Sequence, residues 1–170
     1  ANKAKDYSAA IDLAAGIEKS NADESVKQDV YLELASANNG LKRSDDAVRY
    51  WTLASTSLTK TGARATCMLG DHYFRIKKFD PAITEFKKVF FGFGGDQAEK
   101  SIRPWQAYAR YEAARCSYVQ VASVKEVSAK QKLVQTAISH FESLVNDYPD
   151  DKLVPEAKRQ IETLKNINFK

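Results

Sequence analysis

Landmarks in this chain recur at one interval. Leu34 and Leu69 stand 35 residues apart, and so do Ala47 and Ala82. Each leucine is followed by a small residue, Ala35 or Gly70, and each alanine is followed four residues on by an aromatic, Trp51 or Phe86. Two independent pairs at one spacing constrain the fold more than any single motif. A repeat of this length is one supersecondary unit that cannot bury its apolar side alone and has to stack on its neighbours.

The clearest copy is ATCMLGDHYFRIKKFDPAITEFKKVF, Ala65 to Phe90, with Leu69-Gly70, Tyr73, Ala82 and Phe86 as its markers. The copy before it carries Tyr31, Leu34-Ala35, Asn38, Ala47 and Trp51. A third is stretched: Ala113-Ala114 takes the Leu-Gly place and Ser117 the Tyr place, with Ala137, Phe141 and Pro149 completing it. About ten residues (GFGGDQAEKS) are added before this copy, and roughly eleven more (within VASVKEVSAKQ) between its two helices. At the front, DYSAAIDLAAGIEKS matches only a second helix, with Tyr7 and Ala10 where Phe79 and Ala82 stand. At the back, Val154, Ala157, Ile161, Leu164 and Ile167 keep the three-to-four spacing of an amphipathic helix, which reads as a terminal cap. Asp80-Pro81 reads as a helix cap followed by Pro at the first helical position, and Ser101 to Pro104 as the start of another helix.

Composition agrees with helices throughout. With 7 Gly and 4 Pro in 170 residues there is little punctuation for the tight turns of an all-β fold. Hydrophobic residues at 44% and charged residues at 28% belong to a folded chain and not to a disordered one. Residues 62–120 hold ten Lys or Arg and six Asp or Glu, so the whole net charge of +4 sits in the middle of the chain. That is too sparse for the basic stripe of a nucleic-acid binder and tilts slightly towards acidic partners. No apolar run of membrane-spanning length occurs. The chain begins inside a partial repeat, without an initiator Met, and is read as a piece of a longer protein.

The markers Leu69-Gly70, Tyr73, Ala82 and Phe86 resemble the tetratricopeptide signature W-x2-L-G-x2-Y…A-x3-F…P, with Thr66 in the place of the Trp. The resemblance runs from about Asp6 to Ile167. It implies an all-α fold, a right-handed superhelix (an α-solenoid) of three helical hairpins in a single domain over 1–170. The expected divisions are a partial repeat at 5–20, repeats at 24–60, 63–93 and 99–149, and a capping helix at 153–168. Ala137 to Leu164, AISHFESLVNDYPDDKLVPEAKRQIETL, is similar to repeats of bacterial cell-envelope members of the superfamily, the Tol–Pal-associated periplasmic protein and the outer-membrane assembly lipoproteins. That similarity favours the periplasm or envelope as the compartment, with the cytoplasm as the alternative.

Residues that could carry chemistry are few. Cys67 and Cys116 are 49 residues apart with no CxxC pairing, which argues against zinc and fixes no redox compartment. His72 and His140 are the only histidines, and His72, five residues after Cys67, is poorly placed on a helix to face it as a base. FFGFGGDQ, Phe90 to Gln97, follows a helix and not a strand, so it reads as an inter-repeat loop with Phe90, Phe91 and Phe93 partly in the core. The run Glu85-Phe86-Lys87-Lys88 reads as a solvated face, as does Lys132. No catalytic residue, metal site or cofactor is expected.

The resemblance places the first helix of each hairpin along a concave groove. Transferred by position, the groove receives Leu32, Glu33, Ser36 and Asn39, then Arg64, Cys67, Met68, Asp71, Phe74 and Arg75, then Tyr108, Tyr111, Glu112, Arg115 and Tyr118. Of these, Tyr108, Tyr111, Arg115 and Tyr118 form one stripe at three-to-four spacing, in residue types over-represented at binding hot spots. The Lys/Asn/Lys/Arg clamp of chaperone-binding relatives is missing: Leu32, Ser36, Arg64 and Met68 stand at comparable places. The expectation is a non-catalytic module that binds a peptide or partner protein. The alternatives are a structural spacer or self-association region, and a substrate-positioning segment of an enzyme whose catalytic domain lies outside this chain.

Overall fold

Good helix formers with apolar residues at three-to-four spacing become helices wherever a neighbour covers the apolar side. The structure, a computed structural model, describes Tyr7, Ile11, Asp12, Ala14, Gly16, Ile17 and residues 21–169. Among them are α1 (Glu24–Gly40), α2 (Ser44–Ala54), α3 (Lys60–Arg75), α4 (Phe79–Gly92), α5 (Arg103–Gln120), α6 (Val127–Asp147) and α7 (Val154–Lys165), and no strand. Single 3-10 turns lie at Gly95–Gln97 and Val121–Ser123. Of the expected partial repeat at 5–20, the six described residues are helical, and Ala10 lies outside the described residues. The chain divides into two units, Ala1–Leu69 and Gly70–Lys170, with the division inside α3.

In the first unit α1 and α2 fold back on each other across residues 41–43. Leu32, Ala35, Ala47, Trp51, Ala54, Ala65 and Leu69 form the core, with Tyr31, Val48, Tyr50 and Met68 packed at its edge. Four of these are alanines, which let helices approach closely, and Trp51, 2% exposed, fills most of the remaining space. Outside that core the Thr61 hydroxyl donates to an Asp29 carboxylate oxygen at 2.6 Å, and the Ser57 hydroxyl donates to Gln28.

In the second unit Gly70 lies directly beneath Phe86. A Cβ at position 70 would come within 2.5 Å of the Phe86 ring, so only glycine fits without moving the aromatic. A second core joins α5, α6 and α7 through Ala114, Val134, Ala137, Ile138, Phe141, Leu144, Val154, Ala157, Ile161 and Leu164. Burial of Val154, Ala157, Ile161 and Leu164 agrees with the apolar face expected of the last helix. Ile167 lies beyond the end of α7 and is only partly covered.

The two short corners are chemical copies. Leu41 N–H donates to Ala37 C=O, Lys42 N–H to Asn39 C=O, Arg43 N–H to Asn38 C=O and Ala47 N–H to Arg43 C=O. Adding 35 to each residue gives Ile76 to His72, Lys77 to Phe74, Lys78 to Tyr73 and Ala82 to Lys78, all hydrogen-bonded in the same sense. The middle residue is left-handed in both, with φ 62° at Lys42 and 61° at Lys77, and the next has φ −89° and ψ 75° in both. This is a helical-repeat-like architecture at the level of single hydrogen bonds.

Three local expectations change. Helix α4 begins at Phe79 after Lys78, two residues before the expected cap, so Pro81 falls later in the first turn. Proline is tolerated there because the N–H groups of a first turn have no partner within the helix. The residues added between the helices of the third hairpin do not form one long loop. Residues 121–126 make the connection, and the remainder lengthen α6 from Val127 onward. Phe91 departs from its two neighbours: Phe90 and Phe93 are buried, whereas Phe91 is 65% exposed.

Candidate partner-binding surface

The residues that the groove assignment shares between α3 and α5 meet in the second unit. Tyr108 points its hydroxyl at the Asp71 carboxylate, 2.9 and 2.8 Å from the two oxygens, with the single hydrogen shared between them. Arg115 donates through Nη1 to both Glu112 oxygens at 2.8 Å, and its guanidinium carbon lies 5.1 Å from the centre of the Phe74 ring. Phe74 in turn meets Phe79 edge-on at 5.8 Å, and Trp105 meets Tyr108 edge-on at 6.1 Å. One helical turn separates Tyr108 from Glu112 and Asp71 from Arg75, which explains how two helices deliver alternating charge and aromatic groups to one surface.

The electrostatics are those of a nearly balanced cluster. Burial raises the Asp71 carboxyl, against the Tyr108 hydrogen bond and the charges of Arg75 and Arg115, which lower it. Burial also raises Glu112, with the Arg115 charge and hydrogen bond opposing and Asp71 adding to the rise. Burial alone would lower Arg115, but the Glu112 charge and hydrogen bond outweigh it and hold the guanidinium above its ordinary value. Behind them the Cys116 thiol is fully buried and pushed up to about 12, by burial first and by Glu112 second.

The expected stripe divides. Tyr108 and Arg115 are fixed by carboxylates, and Tyr118 is 40% exposed near the end of α5. Tyr111 instead turns towards α6 and meets Phe141 edge-on at 5.3 Å, and burial raises its phenol. Glu112 is 5% exposed, so it serves the surface by holding Arg115 and offers little of itself. In the first unit Leu32 and Cys67 are buried in the core. Asn39 is half-buried in α1, and Arg64 is exposed in α3, where it lines a small cleft of about 210 Å³ with Asp29, Leu32, Glu33, Lys60 and Thr61.

One group of residues went unread in the sequence. Lys87, Arg110, Lys132 and His140 line a common cleft in the second unit, although they come from three helices and share no motif. Among the described residues no three His, Cys, Asp or Glu side chains gather as metal ligands, and no helix is long and apolar enough to cross a membrane. No family model matches the chain, and neither a curated protein nor a solved structure does.

Proposed function

We propose that this chain is a non-catalytic protein-binding module of tetratricopeptide-like hairpins, which takes up a peptide or partner protein on the surface carrying Asp71, Phe74, Arg75, Tyr108, Arg115 and Tyr118. The repeat reading draws support from the two corners that match hydrogen bond for hydrogen bond at a 35-residue offset. The binding reading rests on one observation: Tyr108 and Arg115 are already held by Asp71 and Glu112. Side chains fixed before a partner arrives lose less conformational freedom on binding, which is how a preorganised surface gains affinity. Phe74, half-buried, and Tyr118, exposed, would supply apolar contact beside them. The excess positive charge of the middle of the chain favours a partner with acidic residues flanking an apolar one. The similarity of residues 137–164 to envelope repeats makes cell-envelope proteins the first partners to try.

A structural spacer is the rival, and it has its own support. Asp71 with Tyr108 and Glu112 with Arg115 satisfy one another, so the cluster serves packing as well as recognition. Peptide selection on the intact chain separates the two. Peptides enriched on the parent are measured against Tyr118→Ala and Phe74→Ala, with thermal melting in parallel. Binding that falls by about 1–3 kcal/mol in folded variants supports the surface. Peptides that bind parent and variants alike, or none at all, leave the spacer as the better account.

A further inference from the structure

Helices α4, α5 and α6 enclose a second surface on which charge is not balanced. The cleft has a volume of about 570 Å³, within the range of small-molecule sites, and is lined by Lys87, Phe91, Arg110, Lys132, Ser139 and His140 among others. No Asp or Glu lines it. Lys88 is engaged by Glu85 at 2.7 Å, but neither Lys87 nor Lys132 has a carboxylate partner among the described residues.

Arg110 is the centre of the arrangement. Its side chain is 14% exposed, with the guanidinium carbon 3.9 Å from the centre of the Phe90 ring and 5.1 Å from that of Phe91. Among the described residues its only ion pair is a long one, 3.8 Å to Asp147, and its Nε is buried without a hydrogen-bond partner. An arginine carries five N–H donors in a planar fork that suits carboxylate and phosphate oxygens. Burying such a group with its Nε–H unpaired is costly unless something else takes it up. Burial first, then the charges of Arg110 and Lys87, depress the His140 imidazole to about 4, so the ring is neutral within the cleft. At the rim Phe91 is 65% exposed and rests edge-on against Phe90 at 4.6 Å, an apolar platform next to the cations.

We propose that this cleft binds a small soluble phosphomonoester with a flat apolar body, its phosphate held by Lys87, Arg110 and Lys132 and its body laid against Phe91. The two lysines balance the charge of a dianion, Arg110 adds donors in a planar fork, and the Ser139 hydroxyl and the neutral His140 ring add further donors for its oxygens. The space exceeds what a bare phosphate fills, and Phe91 gives the rest of the ligand a surface. The site is independent of the partner-binding surface and stands or falls separately from it.

Titration of the intact chain with phenyl phosphate, followed by calorimetry and by the His140 and Phe91 side-chain resonances, tests the proposal. Saturable one-to-one binding is expected, weakened at least about tenfold in Lys87→Gln/Lys132→Gln and unaffected in Lys88→Gln. Lys87 and Lys132 are both exposed, so the double variant stays folded and its loss of binding reads the site itself. Inorganic phosphate should bind roughly tenfold or more weakly than phenyl phosphate; equal affinity would overturn the role given to Phe91. Adenosine monophosphate should bind at least as well as phenyl phosphate, whereas preference for a phosphotyrosine tetrapeptide would reassign the site to a protein-borne phosphate and overturn the small-ligand proposal. Absence of saturable shifts at about 1 mM ligand, or binding indifferent to the double variant, would remove the site altogether.

Discussion

Arg110 and Arg115 leave the same helix five residues apart and meet opposite circumstances. Each lies over a phenylalanine, Arg110 over Phe90 and Arg115 over Phe74. The more exposed of the two, Arg115 at 44%, has two hydrogen bonds to a buried carboxylate and is held above its ordinary pKa. The more buried, Arg110 at 14%, has one long ion pair, to Asp147, and burial lowers its pKa against the weaker pull of Tyr148, Asp147 and Asp96. Exposure therefore does not tell which cation is available. The position of the nearest counter-charge does, and it separates a closed structural cluster around Glu112 from an open cationic cleft around Arg110.

The sharpest way to break this contrast is Arg115→Ala. It strands Glu112, 7% exposed at its side chain, without its partner. Breaking a buried pair from one side costs about 3–5 kcal/mol, and the partial exposure of Arg115 puts the expected loss at the lower end, about 3 kcal/mol by urea unfolding at neutral pH. Adding Glu112→Gln should restore most of it, and the loss should shrink in acid as Glu112 takes up a proton. A single variant as stable as the parent would mean that Glu112 has no need of Arg115.

The next largest effect belongs to acid. His140 is held at about 4 in the fold, by burial and then by Arg110 and Lys87, against about 6.5 unfolded. The unfolded chain binds the extra proton first, so stability is full above about pH 6.5 and falls as the pH drops towards 4, by about 3 kcal/mol in all. His140→Phe should flatten that part of the pH–stability curve. An unchanged curve would place the acid sensitivity elsewhere.

Arg110→Met should do less. It keeps the contact with Phe90 and removes a poorly paired charge, a replacement that is often neutral or stabilising, so a change within about 1 kcal/mol is expected. The His140 pKa, read by NMR, should rise part of the way back, since burial remains. If Arg110→Met destabilises as much as Arg115→Ala, the two arginines are alike after all. Smallest is Tyr118→Ala, an exposed change expected to stay within about 0.5 kcal/mol of the parent, which makes it the cleanest probe of partner binding.

The sequence made the helical pairs legible because small and aromatic residues recur where helices touch. Gly70 beneath Phe86 is the plainest case. Tyr111 was harder to read. Its spacing from Tyr108 and Arg115 places it on the same side of α5, yet that helix is packed by α6 as well, and Phe141 draws Tyr111 to the second contact. Helical spacing reports a direction from the axis and cannot say which directions a neighbour will occupy. Lys87 and Lys132 look like solvated lysines for the same reason, since a cleft assembled from three helices leaves no local pattern. Pro81 marked the right turn two residues late, because a first helical turn accepts proline at more than one place.

The matching corners at residues 41–43 and 76–78 have a consequence for how such a chain can be cut and joined. Leu-Lys-Arg and Ile-Lys-Lys share an aliphatic residue, a left-handed lysine and a second base, and produce the same four backbone hydrogen bonds. A segment running from one corner to the next is thus a cassette with interchangeable ends. Gene duplication or excision of 35 codons that joins one corner to the other would leave an intact corner at the splice.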